Sequence, residues 1–138
     1  MNELRKRPRI LIVDDEEVVT DSLRLLFEKE GYDVLATDNG QSALEMIQEH
    51  RPDCVLLDLI IQQMDGLAVL QEIRNRKPEL GEVPVIIMTV VTQDSELADG
   101  FWMKATETDG FFTKPFDPYH VLENVGQVLK RKGVPIPE

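Results

Sequence analysis

Asp14, Asp15 and Glu16 follow directly on the apolar run Arg9–Val13. Asp58 follows the apolar run Cys54–Leu57 in the same way. Thr89 comes after Pro84–Met88, and Lys114-Pro115 after Gly110–Thr113. If these runs are strands of one parallel sheet, acids, a hydroxyl and an ammonium collect at a single edge. Clustered carboxylates repel one another and resist full ionisation. A hard divalent cation relieves that repulsion, and magnesium takes about one or two carboxylates together with waters and phosphate oxygens. Asp58 can then act as a nucleophile on phosphorus and form an aspartyl phosphate. Lys114 can pair with a phosphoryl oxygen or with Asp58 itself, and Thr89 can donate its hydroxyl to another phosphoryl oxygen. Singly, these residues have ordinary roles too: Asp14 and Asp15 would equally suit the N-terminus of a helix. Their joint placement is what points to chemistry.

Whether they meet depends on the elements between them. The apolar runs are Arg9–Val13, Asp33–Thr37, Cys54–Leu57, Pro84–Met88 and Gly110–Thr113. The first, third and fourth are almost continuously apolar, as expected of strands covered on both faces. Helical patterns alternate with them. Val19, Leu23, Leu26 and Phe27 form an apolar stripe that Gly31 closes. Ala43, Met46 and Ile47 mark a second helix before Pro52, and Leu67, Leu70 and Ile73 a third, with Pro78 beyond its end. Leu97, Phe101 and Ala105 mark a fourth, weakened by Gly100. Val121, Leu122, Val125, Val128 and Leu129 mark a fifth, between Pro118 and Gly133. This alternation predicts an α/β fold, a parallel sheet with helices on both faces. The ligand site of such a sheet lies beyond the carboxyl ends of its strands.

Composition narrows the function classes. The chain has 138 residues and is 42% hydrophobic, enough for one domain with one sizeable core. Its net charge of −11 disfavours nucleic acid and anionic membrane. The basic runs at Arg5, Lys6, Arg7 and Arg9 and at Lys130, Arg131 and Lys132 read as solvated charge. No apolar stretch approaches the roughly 20 residues that span a bilayer, and no signal-peptide pattern opens the chain, so a cytoplasmic location is expected. Cys54 reads as a buried, inert thiol, and His50 and His120 as surface histidines.

The sequence resembles the receiver domain of two-component response regulators over about residues 8–131. The resemblance is carried by Ile-Leu-Ile-Val-Asp-Asp-Glu at 10–16, Asp58 with Asp65-Gly66 downstream, Thr89, and Lys114-Pro115-Phe116. It implies a doubly wound, flavodoxin-like (βα)5 domain at 9–131 with strand order 2-1-3-4-5. Residues 1–8 become a basic extension, and 132–138 a tail or the start of a linker. It further implies that Asp58 is the phosphoacceptor. Mg2+ is bound directly by Asp15 and through water by Asp14, with Asp58 and the backbone carbonyl of Ile60 completing the site. Thr89 and Lys114 sense the phosphoryl group, Phe111 switches rotamer, and the Lys114-Pro115 bond is cis. The phosphoryl donor is a histidine kinase or a phosphotransfer protein. The active surface is built from the fourth helix, fifth strand and fifth helix, and serves a downstream partner or a homodimer.

Several positions depart from the family pattern. Val90 replaces a small residue, Gln62 a common proline and Glu107 a frequent glycine. Ile60 and Val91 are apolar where they flank the path of attacking water, and are expected to prolong the phosphoryl group's life. Of Phe101 and Trp102, one is expected in the core and the other at a partner contact. The alternative reading is a pseudo-receiver that binds partners without phosphate. An enzyme acting on a metabolite is not expected. A phosphatase of the haloacid-dehalogenase type needs an acid two residues after its nucleophile, where Ile60 stands, and no P-loop is present. Only Gly133–Glu138 follow the fifth helix, so a single-domain regulator and a longer chain with an output domain both stay open.

Overall fold

The computed structural model describes residues 7–61, 64–90 and 108–137. The strands of its main sheet are β1 (Arg9–Val13), β2 (Asp33–Thr37), β3 (Cys54–Leu57), β4 (Val85–Thr89) and β5 (Gly110–Thr113). They lie in the order β2-β1-β3-β4-β5, every pair parallel, so the expected topology is found. The described helices are α1 (Glu17–Lys29), α2 (Gly40–His50), α3 (Gly66–Asn75), the single turn α4 (Lys77–Leu80) and α5 (Pro118–Arg131). The helical pattern at 97–105, with Phe101 and Trp102, lies outside the described residues, as do Gln62, Val91 and Glu107.

Successive strand side chains point to opposite faces. Leu11, Val13, Val55, Leu57, Val85 and Ile87 therefore face one way and pack with Ala43, Leu44 and Ile47 of α2 and Val69, Leu70 and Ile73 of α3. Ile10, Ile12, Cys54, Leu56, Ile86 and Met88 face the other way and meet Leu23 and Phe27 of α1 and Val121, Val125 and Leu129 of α5. Every residue of β3 and β4 is buried, which explains their nearly unbroken apolar sequence. Each buried leucine or isoleucine contributes about 1.5–3 kcal/mol by area removed from water.

Local chemistry sets the boundaries. α1 stops before Gly31, whose φ of 98° suits a residue without a Cβ. Asn39 caps α2 by accepting from Ser42 N at 2.8 Å, and Asp117 caps α5 by accepting from Tyr119 N at 2.9 Å. One boundary differs from expectation. The fourth strand starts at Val85 and includes Thr89; Pro84 has no N–H for the ladder and contributes only its carbonyl, to Val55 N at 2.9 Å. Pro78 lies beyond the end of α3 at Asn75, as expected, and sits in the first turn of the additional short helix α4, where a missing N–H costs nothing.

Beyond α5 the chain turns back. Val134 and Ile136 pack against the α1–α5 side of the core, and Pro137 lies over Gly31. No helix among the described residues is long and apolar enough to cross a membrane.

Candidate functional site

The ladder carries the reactive residues one step past the strand ends. Asp14 N donates to Thr37 O at 3.1 Å, Asp58 N to Val13 O at 2.9 Å and Lys114 N to Thr89 O at 2.8 Å. Each bond ties a functional residue to the last residue of a neighbouring strand. The sheet thereby brings together side chains up to 100 residues apart, from Asp14 to Lys114.

Lys114 Nζ is the hub. It hydrogen-bonds Asp58 Oδ2 at 2.9 Å and Glu16 Oε1 at 2.5 Å. It also stands 2.8 Å from Asp14 Oδ2, an ion pair out of line for a hydrogen bond. Asp58 is only 3% exposed, and its Oδ1 accepts from Ile60 N at 3.0 Å. Asp14 Oδ1 accepts from Glu16 N at 2.9 Å, which turns the chain from β1 into α1. Two buried polar atoms remain without a hydrogen bond here, Asp14 Oδ2 and Thr89 Oγ1. Buried polar atoms are normally satisfied. These two suit a pocket that receives a cation or an anionic oxygen.

Carboxylate oxygens of Asp14, Glu16 and Asp58 all lie within 4.8 Å of one another, a spacing one metal ion could bridge. Asp15, half-buried, joins no such group among the described residues. Glu16 was visible in the sequence only as one of three adjacent acids; which of them reaches Lys114 depends on how the chain leaves β1. Phe111 is partly buried against the α2–α3 side of the core, and the Lys114-Pro115 bond is cis. Ile60 and Val90 are 57% and 43% exposed. Val90 borders a groove of about 330 Å³ that also touches Glu16 and Lys114.

The loop after Asp58 folds back tightly. Ile60–Ile61 pairs antiparallel with Met64–Asp65, and Gly66 N donates to Leu59 O at 2.9 Å. A Cβ on Gly66 would lie 2.3 Å from Leu59 Cα. The glycine that follows Asp65 is thus a condition for the shape of this loop.

A sequence profile described as the response regulator receiver domain matches residues 10–126. The chain belongs to the response regulator receiver family. It is 34% identical over 122 residues to the transcriptional regulatory protein SrrA of Staphylococcus aureus, spanning 88% of this chain and 48% of that protein. The receiver domain therefore spans about half the length of the curated relatives it matches. Among solved structures it is similar to the receiver domain of a Francisella response regulator (TM-score 0.79, 26% identity, 91% and 99% of the two chains). A receiver domain protein of Methanospirillum hungatei is similar as well (TM-score 0.80, 25% identity, 93% and 98%). Receiver domains of this family are phosphorylation-dependent signalling switches, and the acidic group Asp14, Glu16 and Asp58 fits their phosphorylation site.

The electrostatics of the receiver domain follow from burial. Asp14 is held above the ordinary carboxylate value, first by loss of water and then by the charge of Asp58; its contact with Lys114 offsets this only in part. Burial pulls Lys114 down, but Asp14, Asp58 and Glu16 more than reverse it, so the ammonium stays charged. Cys54 is fully buried and its thiol is pushed upward by loss of water, in keeping with an inert core residue.

A stability prediction follows. Asp14 binds its proton more tightly folded than unfolded. Its contribution to stability is therefore greatest at low pH and is lost as pH rises from 3.8, the unfolded value, through the raised folded value. At neutral pH the ionised side chain is a net cost. In metal-free buffer, Asp14→Asn is expected to stabilise the fold by about 1 kcal/mol, roughly 3–6 °C in Tm. Lys114 keeps Asp58 and Glu16 as partners in this variant. The gain should shrink as the pH approaches 4, and added Mg2+ should raise Tm in the wild type more than in Asp14→Asn. Thermal melts with and without magnesium across pH check both statements.

Proposed function

We propose that this receiver domain is a switch operated by phosphorylation of Asp58, with a histidine kinase or a phosphotransfer protein as donor. The observation that carries the reading is the pocket itself. A buried carboxylate is held by Lys114, and two neighbouring buried atoms, Asp14 Oδ2 and Thr89 Oγ1, have no hydrogen bond. An oxygen of Asp58 forms a bond to phosphorus as the P–N bond of phosphohistidine, or the P–O bond of acetyl phosphate, breaks. The leaving group departs with the bonding electron pair. Lys114 meets the incoming charge, and the Thr89 hydroxyl donates to a phosphoryl oxygen. Asp14, Asp58, the Ile60 carbonyl and Asp15, which lies outside the Asp14–Glu16–Asp58 group in this structure, would hold Mg2+, which would supply neutralisation of the clustered charge and polarisation of the phosphoryl oxygens. Thr89 and Phe111 relay the change to the surface around β5 and α5, where a downstream protein or a second copy engages. Intact-mass measurement after incubation with acetyl phosphate and magnesium tests the reading.

A donor surface is supported by α1. Val18 and Leu25 are 78% and 74% exposed and lie seven residues apart, on one face of the helix. Val18 also lines the groove beside Val90, Pro115 and Phe116 that ends at Lys114. An exposed apolar stripe beside a groove that reaches Lys114, the partner of Asp58, suits a helix of the donor protein. The double variant Val18→Asp, Leu25→Asp is expected to lose about tenfold or more in phosphotransfer from its kinase. Its uptake from acetyl phosphate should stay within about twofold, because that small donor needs no docking face. Equal losses with both donors would count against this surface.

A further inference from the structure

The chemistry above leaves Glu16 without a role, although its carboxylate reaches a lysine 98 residues away. A lysine ammonium has three N–H donors. In this state Lys114 faces three carboxylates, Asp14, Glu16 and Asp58, within 2.8, 2.5 and 2.9 Å. The ammonium already donates to Asp58 and Glu16 and is ion-paired with Asp14 before any phosphoryl group arrives. With three carboxylates within 2.9 Å competing for Lys114, a phosphoryl oxygen on Asp58 gains it more fully once one of them lets go.

The three are not equally easy to release. The side chains of Asp14 and Asp58 are 0% and 5% accessible, so parting either from Lys114 strands a charge without water. The Glu16 side chain is 56% accessible, and water replaces the lysine there at little cost. We propose that Glu16 is a positioning residue that holds Lys114 in the unphosphorylated domain and is exchanged for a phosphoryl oxygen when Asp58 is modified. The proposal rests on the reading of Asp58 as phosphoacceptor. Glu16 also borders the groove that leads to Lys114, where its charge opposes an anionic donor.

Glu16 could instead be a metal ligand, since it belongs to the bridgeable acidic group. The two roles predict opposite signs. As a holding group, Glu16 slows phosphorylation, and its removal speeds it. As a ligand, its removal weakens Mg2+ binding and slows phosphorylation.

The test compares wild type, Glu16→Gln and Glu16→Asp with acetyl phosphate and Mg2+, following uptake by intact mass and Mg2+ affinity by titration calorimetry. Glu16→Gln is expected to be phosphorylated about two- to fivefold faster, the scale of one exposed ion pair, with Mg2+ affinity unchanged. Glu16→Asp keeps the charge but falls one methylene short of Lys114, and is expected to follow the Gln variant. A Gln variant no faster than wild type, or one with weakened Mg2+ binding, overturns the proposal. So does a wild-type rate in Glu16→Asp, which would mean that charge acts without the contact. If wild type takes up no phosphoryl group, the phosphoacceptor reading fails and this proposal with it. If wild type takes it up and the Gln variant is no faster, only this proposal fails.

Discussion

Incubated with acetyl phosphate and magnesium, the domain is expected to gain the mass of a single phosphoryl group, and Asp58→Ala to gain none. The reason lies in placement. The Asp58 N–H is tied to Val13 O, one side-chain oxygen accepts from Ile60 N, and the other faces Lys114. No rotation search is left for the nucleophile, and the cation that meets developing charge is already in contact. Asp14 and Glu16 carry carboxylates in the same group and share Lys114 with Asp58, but are otherwise held differently: Asp14 Oδ1 is committed to the Glu16 N–H, and Glu16 reaches in from the surface. Neither is positioned to replace Asp58. The loss in Asp58→Ala should not come from unfolding, because Lys114 retains Asp14 and Glu16 and the remaining acids repel less. Circular dichroism should show the wild-type fold. A phosphoryl group on the Ala variant would remove Asp58 from its assigned role. Failure of the wild type to gain one, at high donor concentration, would favour a binding module that works without phosphate.

The second large effect is on stability. Gly66→Ala is expected to destabilise the fold by about 2–4 kcal/mol and to impair phosphorylation with it. The added Cβ would sit 2.3 Å from Leu59 Cα, 2.5 Å from Asp58 O and 2.6 Å from Leu59 C. All three are backbone atoms, so no flexible side-chain tip can yield. Relief requires α3 to move away from the loop that carries Asp58, which also strains the Gly66 N to Leu59 O bond. Gly126, inside α5, is the internal control: a Cβ there meets nothing within 4 Å. Gly126→Ala should stabilise by about 0.5–1 kcal/mol through helix propensity. Urea denaturation of the two variants should therefore move in opposite directions. Equal midpoints for Gly66→Ala and wild type would mean that the close approach is absent in solution.

These contrasts show where sequence reading works. The strands were legible because apolar runs of four or five residues, broken by turn residues and amphipathic helices, have few other folded solutions. Asp58, Thr89 and Lys114 could be grouped because a parallel sheet puts the carboxyl ends of its strands on one edge. Pro84 was misplaced by one residue, because an apolar proline reads as part of the run although it has no N–H for the ladder, and the single turn α4 around Pro78 was not foreseen. The tail at Val134–Pro137 looked like linker; its packing on the core depends on Gly133 turning the chain back, which composition does not report.

By itself the sequence determined the alternation of elements, the sheet order through family resemblance, and the acids, hydroxyl and lysine that form the site. Only the tertiary structure decided how those groups are shared. Asp14, Asp15 and Glu16 are three acids in a row, and nothing in their types says which turns inward. The turn after β1 buries Asp14, leaves Asp15 outside the bridgeable group and sends Glu16 across to Lys114. Residue type specifies which charges are available; their partners are set by backbone direction and by water, which withdraws from Asp14 and Asp58 and remains at Glu16.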